Sequence, residues 1–258
     1  MKSARYILGF AAAVCLVCSV LVSGSAIALR ERQAENAERE RRRNVLVASG
    51  LAGAGEDLSE TDLAERFASV RAVVVDLATG AAIPDADPAG VDPVVEAGIA
   101  ASSRAVEDNP ARIRRVENRS VVYLVEPGGE LEAIVLPVRG QGLWSVLYGF
   151  VALEADLNTV RGLTFYEHKE TPGLGGEVDN PDWKALWPGR RVFGADPAAP
   201  VIEVARAAAG PPEEDPHRVD GLAGATMTSR GVTNLLRFWL AGNGFGPLLE
   251  RLRRETAG

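Results

Sequence analysis

Beyond its first eighteen residues this sequence has no cysteine. The two that exist, Cys15 and Cys18, lie inside an uncharged run near the N-terminus, so the rest of the chain can form neither a disulfide nor a cysteine-based zinc site. Histidine is equally scarce: His168 and His217 are the only two, and they stand far apart. There is no HExxH pair, no nucleophile elbow, no Walker A loop and no strand–GxGxxG–helix unit. "GLGGE" at 173–177 has the glycines of a phosphate loop but no Lys-Ser/Thr after them. These absences exclude the common templates of soluble enzymes. They also exclude a chain that oxidises NADH alone, since it has no dinucleotide-binding unit. An excess of positive charge is missing as well. The net charge of −7 and a pI near 5.1 give nucleic acid no electrostatic footing. The one dense basic run, "RERRR" at 39–43, sits among glutamates and reads as an interfacial or solvated helix face.

What the sequence does have is apolar content, at 47% of 258 residues, enough for one large domain or two small ones. Residues 6–29 are 24 positions without a charge. At about 1.5 Å per residue, a helix of this length crosses a hydrocarbon core of about 30 Å with some tilt. "AIA" at 26–28 fits a signal-peptidase site, but a signal core is usually only about 7–15 residues long, so the length favours a retained anchor in membrane lipid. Cys15 and Cys18 share one face of that helix and read as small apolar residues, on a side that suits a partner helix. Lys2 and Arg5 precede the span, while Arg30, Arg32, Arg39, Arg41, Arg42 and Arg43 follow it. Taken literally, the positive-inside rule puts the large domain in the cytoplasm.

The expected layout is a tail at 1–5, a transmembrane helix at 6–29, a juxtamembrane helix or linker at 30–50 and a soluble domain at 51–258. Ser59 and Asp62 resemble a capping box opening a helix over 60–70. Strands are expected at 72–77, 120–126, 131–138, 143–154 and 160–168, with shorter ones near 191–193 and 201–206. The stretch 83–93 reads as a loop, and a helix is expected over 94–106. The turn segments at 126–130 and 139–142 suit antiparallel hairpins. Helices are expected over 228–242 and 247–255; in the first, Val232, Leu235, Leu236, Trp239 and Leu240 make one apolar face. The fold class is α+β, with a single N-terminal transmembrane helix and a mainly antiparallel sheet carrying packed helices.

Two stretches invite chemistry. In "GLAGATMTS" at 221–229, Gly224 and Ala225 let the backbone turn tightly and leave room for another molecule. Thr226 then falls near the positive end of a helix, where an anionic phosphate is favoured, with Arg230 one turn on. Read from physics alone, a plain N-cap is the preferred reading. In "FYEHKETPGLGGE" at 165–177, Pro172 and the glycines make a loop rich in free N–H groups, able to lie against a planar ligand. Spacing alone favours a strand-to-strand connection with turn glycines. His168, at its start, can position the loop or act as a local charge.

"GLAGATMTS" resembles the flavinylation motif of the FMN-binding domain family, in which FMN is joined by a phosphoester bond to the threonine after Gly-Ala. The match falls on Thr226, with Asp220 at the motif's aspartate and Thr228 and Ser229 at its following polar positions. Ala223 stands where Ser or Thr is usual. The run at 142–183, the membrane segment and "NVLVASGL" resemble the NqrC family, one component of the Na+-translocating NADH:quinone reductase. A sister family, in the ion-translocating ferredoxin:NAD+ oxidoreductases, shares the anchor, the "HKETPGLG" loop and the threonine motif. The third alternative is an unmodified anchored binding or scaffold protein.

The resemblance implies a single-span inner-membrane protein with its soluble domain in the periplasm, against the charge count around the span. It implies FMN held by Thr226, Asp220, Gly224, Ala225, Thr228, Glu170, Thr171, Pro172, Gly173, Leu174 and Gly175, with Gly142, Leu143 and Trp144 as weaker members. It implies electrons taken from an iron–sulfur centre and passed to the flavin of a neighbouring member of the complex, needing no catalytic acid, base or metal site in this chain. The implied partners are the other members of the complex, A, B, D, E and F, and a flavin transferase that attaches FMN from FAD.

Overall fold

The computed structural model describes residues 3–107 and 109–256. Met1 and Lys2 of the expected tail, and the last two positions of the expected domain, lie outside the described residues. The chain divides between Arg42 and Arg43 into two units.

The first unit is most of one helix, α1 (Ala4–Ala48). It is long and apolar enough at its N-terminal end to cross a membrane, and its Leu16, Leu21 and Ile27 side chains are exposed. The polar residues after position 29 do not interrupt it. Glu38 pairs with Arg41 and Arg42 across one turn, at 3.2 and 2.9 Å, as i,i+3 and i,i+4 neighbours on a helix surface do.

The second unit opens with the last turn of α1, where Val45, Leu46 and Ala48 are buried. Helix α2 (Glu60–Phe67) begins at the expected capping box: the Asp62 N–H donates to Ser59 Oγ and the Ser59 N–H to Asp62 Oδ2, both at 3.2 Å. Replacing Ser59 with alanine removes the acceptor of one orphan N–H. It is expected to cost about 1 kcal/mol, read as a lower urea midpoint at unchanged slope. The helix stops at Phe67, short of the expected 70, because Val70 is claimed by the sheet, where β1 (Val70–Asp76) pairs with Val125.

The helix expected over 94–106 is overturned. α3 (Pro93–Gly98) lasts six residues, and Ile99 is extended at φ −102°, ψ 122°. A 3-10 turn, Ala100–Ser102, leads into β2 (Ser103–Arg104), which pairs with β3 (Val116–Glu117). Strand pairing across a gap in sequence outweighs a local helical pattern here. Four long strands then follow: β4 (Arg119–Val125), β5 (Ala133–Gln141), β6 (Val146–Glu154) and β7 (Val160–Glu167). With β1 they form a five-stranded antiparallel sheet in the order β1-β4-β5-β6-β7.

After β7 come the loop 168–180 and a single turn, α4 (Pro181–Lys184). The expected strand at 191–193 is reduced to isolated bridges, Thr159 with Arg191 and Phe193 with Pro200. Its N–H groups are taken by loops: that of Arg191 donates to Pro216 O, that of Val192 to Asn158 O and that of Phe193 to Asn158 Oδ1. β8 (Glu203–Val204) and β9 (Arg218–Val219) form a short parallel pair. Helices α5 (Thr226–Leu240) and α6 (Gly246–Thr256) close the chain.

Side chains alternate across the sheet with period two. Ile134, Leu136, Val151, Leu153, Leu163 and Phe165 share one core with Val232, Leu235, Leu236 and Trp239 of α5. Ala133, Val135, Phe150, Ala152, Tyr123 and Val125 face the other core, with Val45, Leu46, Leu58 and Leu63. With both faces covered, the strands read as nearly continuous apolar runs. α5 lies close against β5. A Cβ on Gly231 would stand 2.5 Å from the Gln141 carbonyl oxygen, and the Trp239 Nε1–H donates to Arg139 O at 2.7 Å. This close approach brings the first turn of α5 beside the β5–β6 hairpin tip.

Candidate functional site

The β5–β6 turn, residues 142–145, is held by the Gly142 N–H donating to Ser145 O at 2.8 Å. Its geometry turns three successive backbone N–H groups, from Leu143, Trp144 and Ser145, onto the carboxylate of Glu170 at 3.2, 2.9 and 3.1 Å. Such a concave set of N–H groups is a natural anion site. From the opposite side the Thr228 hydroxyl donates to Glu170 Oε2 at 2.6 Å. Glu170 is 5% exposed and Thr228 1%. One buried carboxylate therefore joins three segments distant in sequence: the hairpin tip, the loop after β7 and the first turn of α5.

Burial alone would raise the pKa of Glu170. The Thr228 hydroxyl and the N–H groups of Trp144, Ser145 and Leu143 outweigh it and hold the carboxyl below the ordinary glutamate value. The acid is ionised at neutral pH.

Space around Glu170 is tightly closed. A Cβ on Gly175 would meet Thr228 Oγ1 at 2.6 Å and Glu170 Oε2 at 2.7 Å. The next layer fixes the loop. His168 Nδ1 accepts the Glu170 N–H at 3.2 Å, which leaves Nε2 to donate to Asp179 Oδ2 at 2.7 Å. Lys184 Nζ lies 3.3 Å from the same Asp179. Ser145 Oγ accepts the Lys169 N–H at 2.7 Å. Of the two roles read for His168, the geometry supports loop positioning.

The residues expected at the site separate into buried holders and an exposed rim. Glu170, Gly175, Ala225 and Thr228 are buried; Thr171, Pro172, Gly173, Leu174, Gly224 and Thr226 are exposed. Gly173 and Gly224 both adopt positive φ, at 75° and 70°, and a Cβ on Gly224 would touch Leu174 Cδ2 at 3.0 Å. So the two glycine turns, one from each motif, are neighbours. Trp144, 70% exposed, with Leu143, Leu174 and Met227, adds large apolar surface on the same segments. Asp220 is turned elsewhere: its Oδ1 accepts the Ala209 N–H at 2.7 Å, and its carbonyl accepts Trp183 Nε1–H at 2.9 Å. Ser145, which sequence reading missed, belongs to the holders. Its only sequence signal is its place at the end of a turn.

Thr226 is the first residue of α5. The cap position before it is Ala225, which offers no side-chain acceptor to the helix. The N-cap reading of the threonines therefore gives way, since neither hydroxyl caps α5.

Residues 142–241 match the family model described as an FMN-binding domain. That span contains the hairpin tip, the loop after β7 and the start of α5, the three segments joined at Glu170. Over 248 residues the chain is 48% identical to NqrC of the Na(+)-translocating NADH-quinone reductase from Pseudomonas aeruginosa, covering 95% of this chain and 94% of that one. It is 42% identical to the corresponding protein of Yersinia pestis, covering 93% and 90%. The chain belongs to the NqrC family. Among solved structures, the crystal structure of Shewanella oneidensis NqrC superposes with a TM-score of 0.75 at 34% identity, covering 84% of this chain and 99% of that one. The α+β fold of the second unit is thus the fold of an NqrC.

Proposed function

We propose that this chain is the membrane-anchored, flavin-carrying member of a Na+-translocating NADH:quinone reductase, with FMN joined to Thr226 by a phosphoester bond. The observation that carries this reading is the division between the two threonines. Thr228 spends its hydroxyl on the buried Glu170 carboxylate, whereas Thr226 is exposed at a helix start without a side-chain cap. The N-terminal N–H groups of a helix favour an anion there. Of the two hydroxyls in "ATMT", only the Thr226 one is free to enter a covalent bond.

The residues present fit a flavin. Leu174, Trp144 and Met227 give an apolar rim, and the Gly173 and Gly224 turns keep backbone accessible beside it. Glu170 acts as a holder of this rim, because its carboxylate is committed to protein donors. The chain supplies no acid or base for the reaction; it orients the ring, sets its surroundings and prevents its loss. FMN would supply the capacity to accept and release electrons, taken from an iron–sulfur centre and passed to the flavin of a neighbouring protein of the complex. α1 would anchor the chain in the inner membrane with the second unit in the periplasm. The other membrane members of the complex, A, B, D, E and F, are its partners, and a flavin transferase acts on Thr226.

In-gel flavin fluorescence after denaturing electrophoresis tests this, with the full chain, Thr226→Ala and Thr228→Ala each co-expressed with a flavin transferase. The expected result is a fluorescent band that survives denaturation and vanishes only in Thr226→Ala. If the transferase labels a control substrate but no band of this chain fluoresces, the tether is wrong, and the domain is a non-covalent binder or a scaffold.

A further inference from the structure

Beside Thr226 lies a cleft of about 380 Å3 whose walls carry an unusual charge for this molecule. The positions 226, 229, 230 and 233, on one face of α5, make one wall; residues 203–206 and Arg218 contribute to the rest. Three arginines, Arg206, Arg218 and Arg230, therefore line a single cavity with the Thr226 hydroxyl, in a chain whose net charge is −7.

The three are not equivalent. Arg218 is held by Asp215 at 3.3 Å and by Glu203 at 3.6 Å. Glu203, the one carboxylate in the lining, is shared with Arg237 at 3.1 Å. Arg206 and Arg230 make no ion pair among the described residues, and both are exposed. Two guanidinium groups left without a counter-charge in one concave site call for an anion, and the planar fork of arginine fits phosphate oxygens in pairs.

We propose that this cleft is a phosphate subsite, in which Arg206 and Arg230 grip the phosphate of a flavin nucleotide and present its phosphorus to the Thr226 hydroxyl. The proposal rests on the flavin-carrier reading and adds to it: the chain recognises the phosphate before the bond exists, rather than merely offering a hydroxyl. In the transfer, the Thr226 Oγ–P bond forms and the P–O bond to the adenylate of the donor FAD breaks. AMP departs and the hydroxyl proton passes to a base on the transferase or to water; nothing is oxidised or reduced. The two arginines neutralise charge on the phosphoryl oxygens throughout. They are positioning residues.

Two measurements on the full chain decide this. In Thr226→Ala, which cannot form the bond, fluorescence titration compares FMN with riboflavin, which lacks the phosphate. FMN is expected to bind at least about tenfold more tightly, an advantage lost in Arg206→Gln/Arg230→Gln and weakened by salt. Millimolar inorganic phosphate should compete with FMN and not with riboflavin, which separates a general phosphate site from one that also needs the flavin ring. Equal binding of FMN and riboflavin, or no measurable binding of either, overturns the proposal.

With Thr226 intact, the double arginine variant is expected to be labelled by the transferase at least about tenfold more slowly. Arg230→Lys should recover part of that rate, and circular dichroism should be unchanged. Labelling of the double variant at the full rate overturns the subsite and leaves the tether standing. Absence of label in the unsubstituted chain sinks the tether, while the FMN–riboflavin comparison still judges the cleft.

Discussion

Alanine in place of Glu170 is expected to lower the stability of the domain by about 3 kcal/mol and to free the hairpin tip. Four donors converge on this carboxylate: the N–H groups of Leu143, Trp144 and Ser145 and the Thr228 hydroxyl. Hydrogen bonds to a charged acceptor are worth more than neutral ones, and donors left behind in a closed site keep their desolvation cost. Amide exchange at positions 143–145 should accelerate together, because one acceptor serves all three. Glutamine is a milder change. Its carbonyl oxygen can still accept from Trp144 and Ser145, and the Thr228 hydroxyl can rotate to accept from the new amide, so only the Leu143 N–H is left facing a donor.

The same carboxylate contributes to acid sensitivity. Its pKa is lowered in the folded protein, so its contribution is complete above the unfolded value and is lost as pH falls through the folded one. The loss therefore begins near 4.5, the reference glutamate value, and continues below it. Glu170→Gln is expected to be less stable at neutral pH and to show a shallower fall in stability below that point, measured by urea unfolding at a series of pH values. An unchanged acid slope in the variant would show that the fall comes from other carboxylates.

The second large effect is expected far from the rim. Glu117 is 1% exposed and Arg139 8%, and they form a two-pronged pair at 3.0 and 2.5 Å. The Arg139 guanidinium also lies 4.9 Å from the Trp239 ring centroid. Removing the carboxylate in Glu117→Ala leaves that cation buried without its partner, at a cost of about 4 kcal/mol. For a domain of this size the melting temperature should fall by about 10 °C. The pair as a whole is a different matter, since two buried charges pay desolvation to meet. Glu117→Leu/Arg139→Met should recover most of the loss, and a double-mutant cycle measures the coupling. If Glu117→Ala melts within about 2 °C of the unsubstituted chain, the pair is not energetically closed to water.

Much of the fold was legible because its causes are local. The capping box at Ser59 and Asp62 and the apolar stripe from Val232 to Leu240 are set by residues within a turn or two of each other. Strand β1 was readable from its own β-branched run. Both failures turn on whether a partner strand is there to pair with. Residues 99–104 had a helical look, but Ser103 and Arg104 pair with Glu117 and Val116, a choice made by a partner strand across a sequence gap. The strand at 191–193 failed for the opposite reason: a suitable run found no neighbour strand to pair with.

The site was legible as residues and not as roles. The glycine turns, the threonines and the "HKETPGLGG" loop could be named from the chain, since small residues and hydroxyls at fixed spacing advertise themselves. That Glu170 is a buried clasp could not, because its four donors come from two other parts of the chain. Asp220 shows the same limit: the motif aspartate spends its carboxylate on the Ala209 N–H.

By itself, the sequence determined an uncharged span long enough to cross a membrane, the family resemblance and the α+β class, since each follows from composition, periodicity or an unbroken motif. Only the tertiary structure decided which threonine is free. It did so by bringing Thr228 within 2.6 Å of a carboxylate 58 residues away in sequence, and by gathering Arg206, Arg218 and Arg230 from three separate segments around Thr226. Covalent order fixes what each residue can do; only packing across the chain fixes which partner it meets.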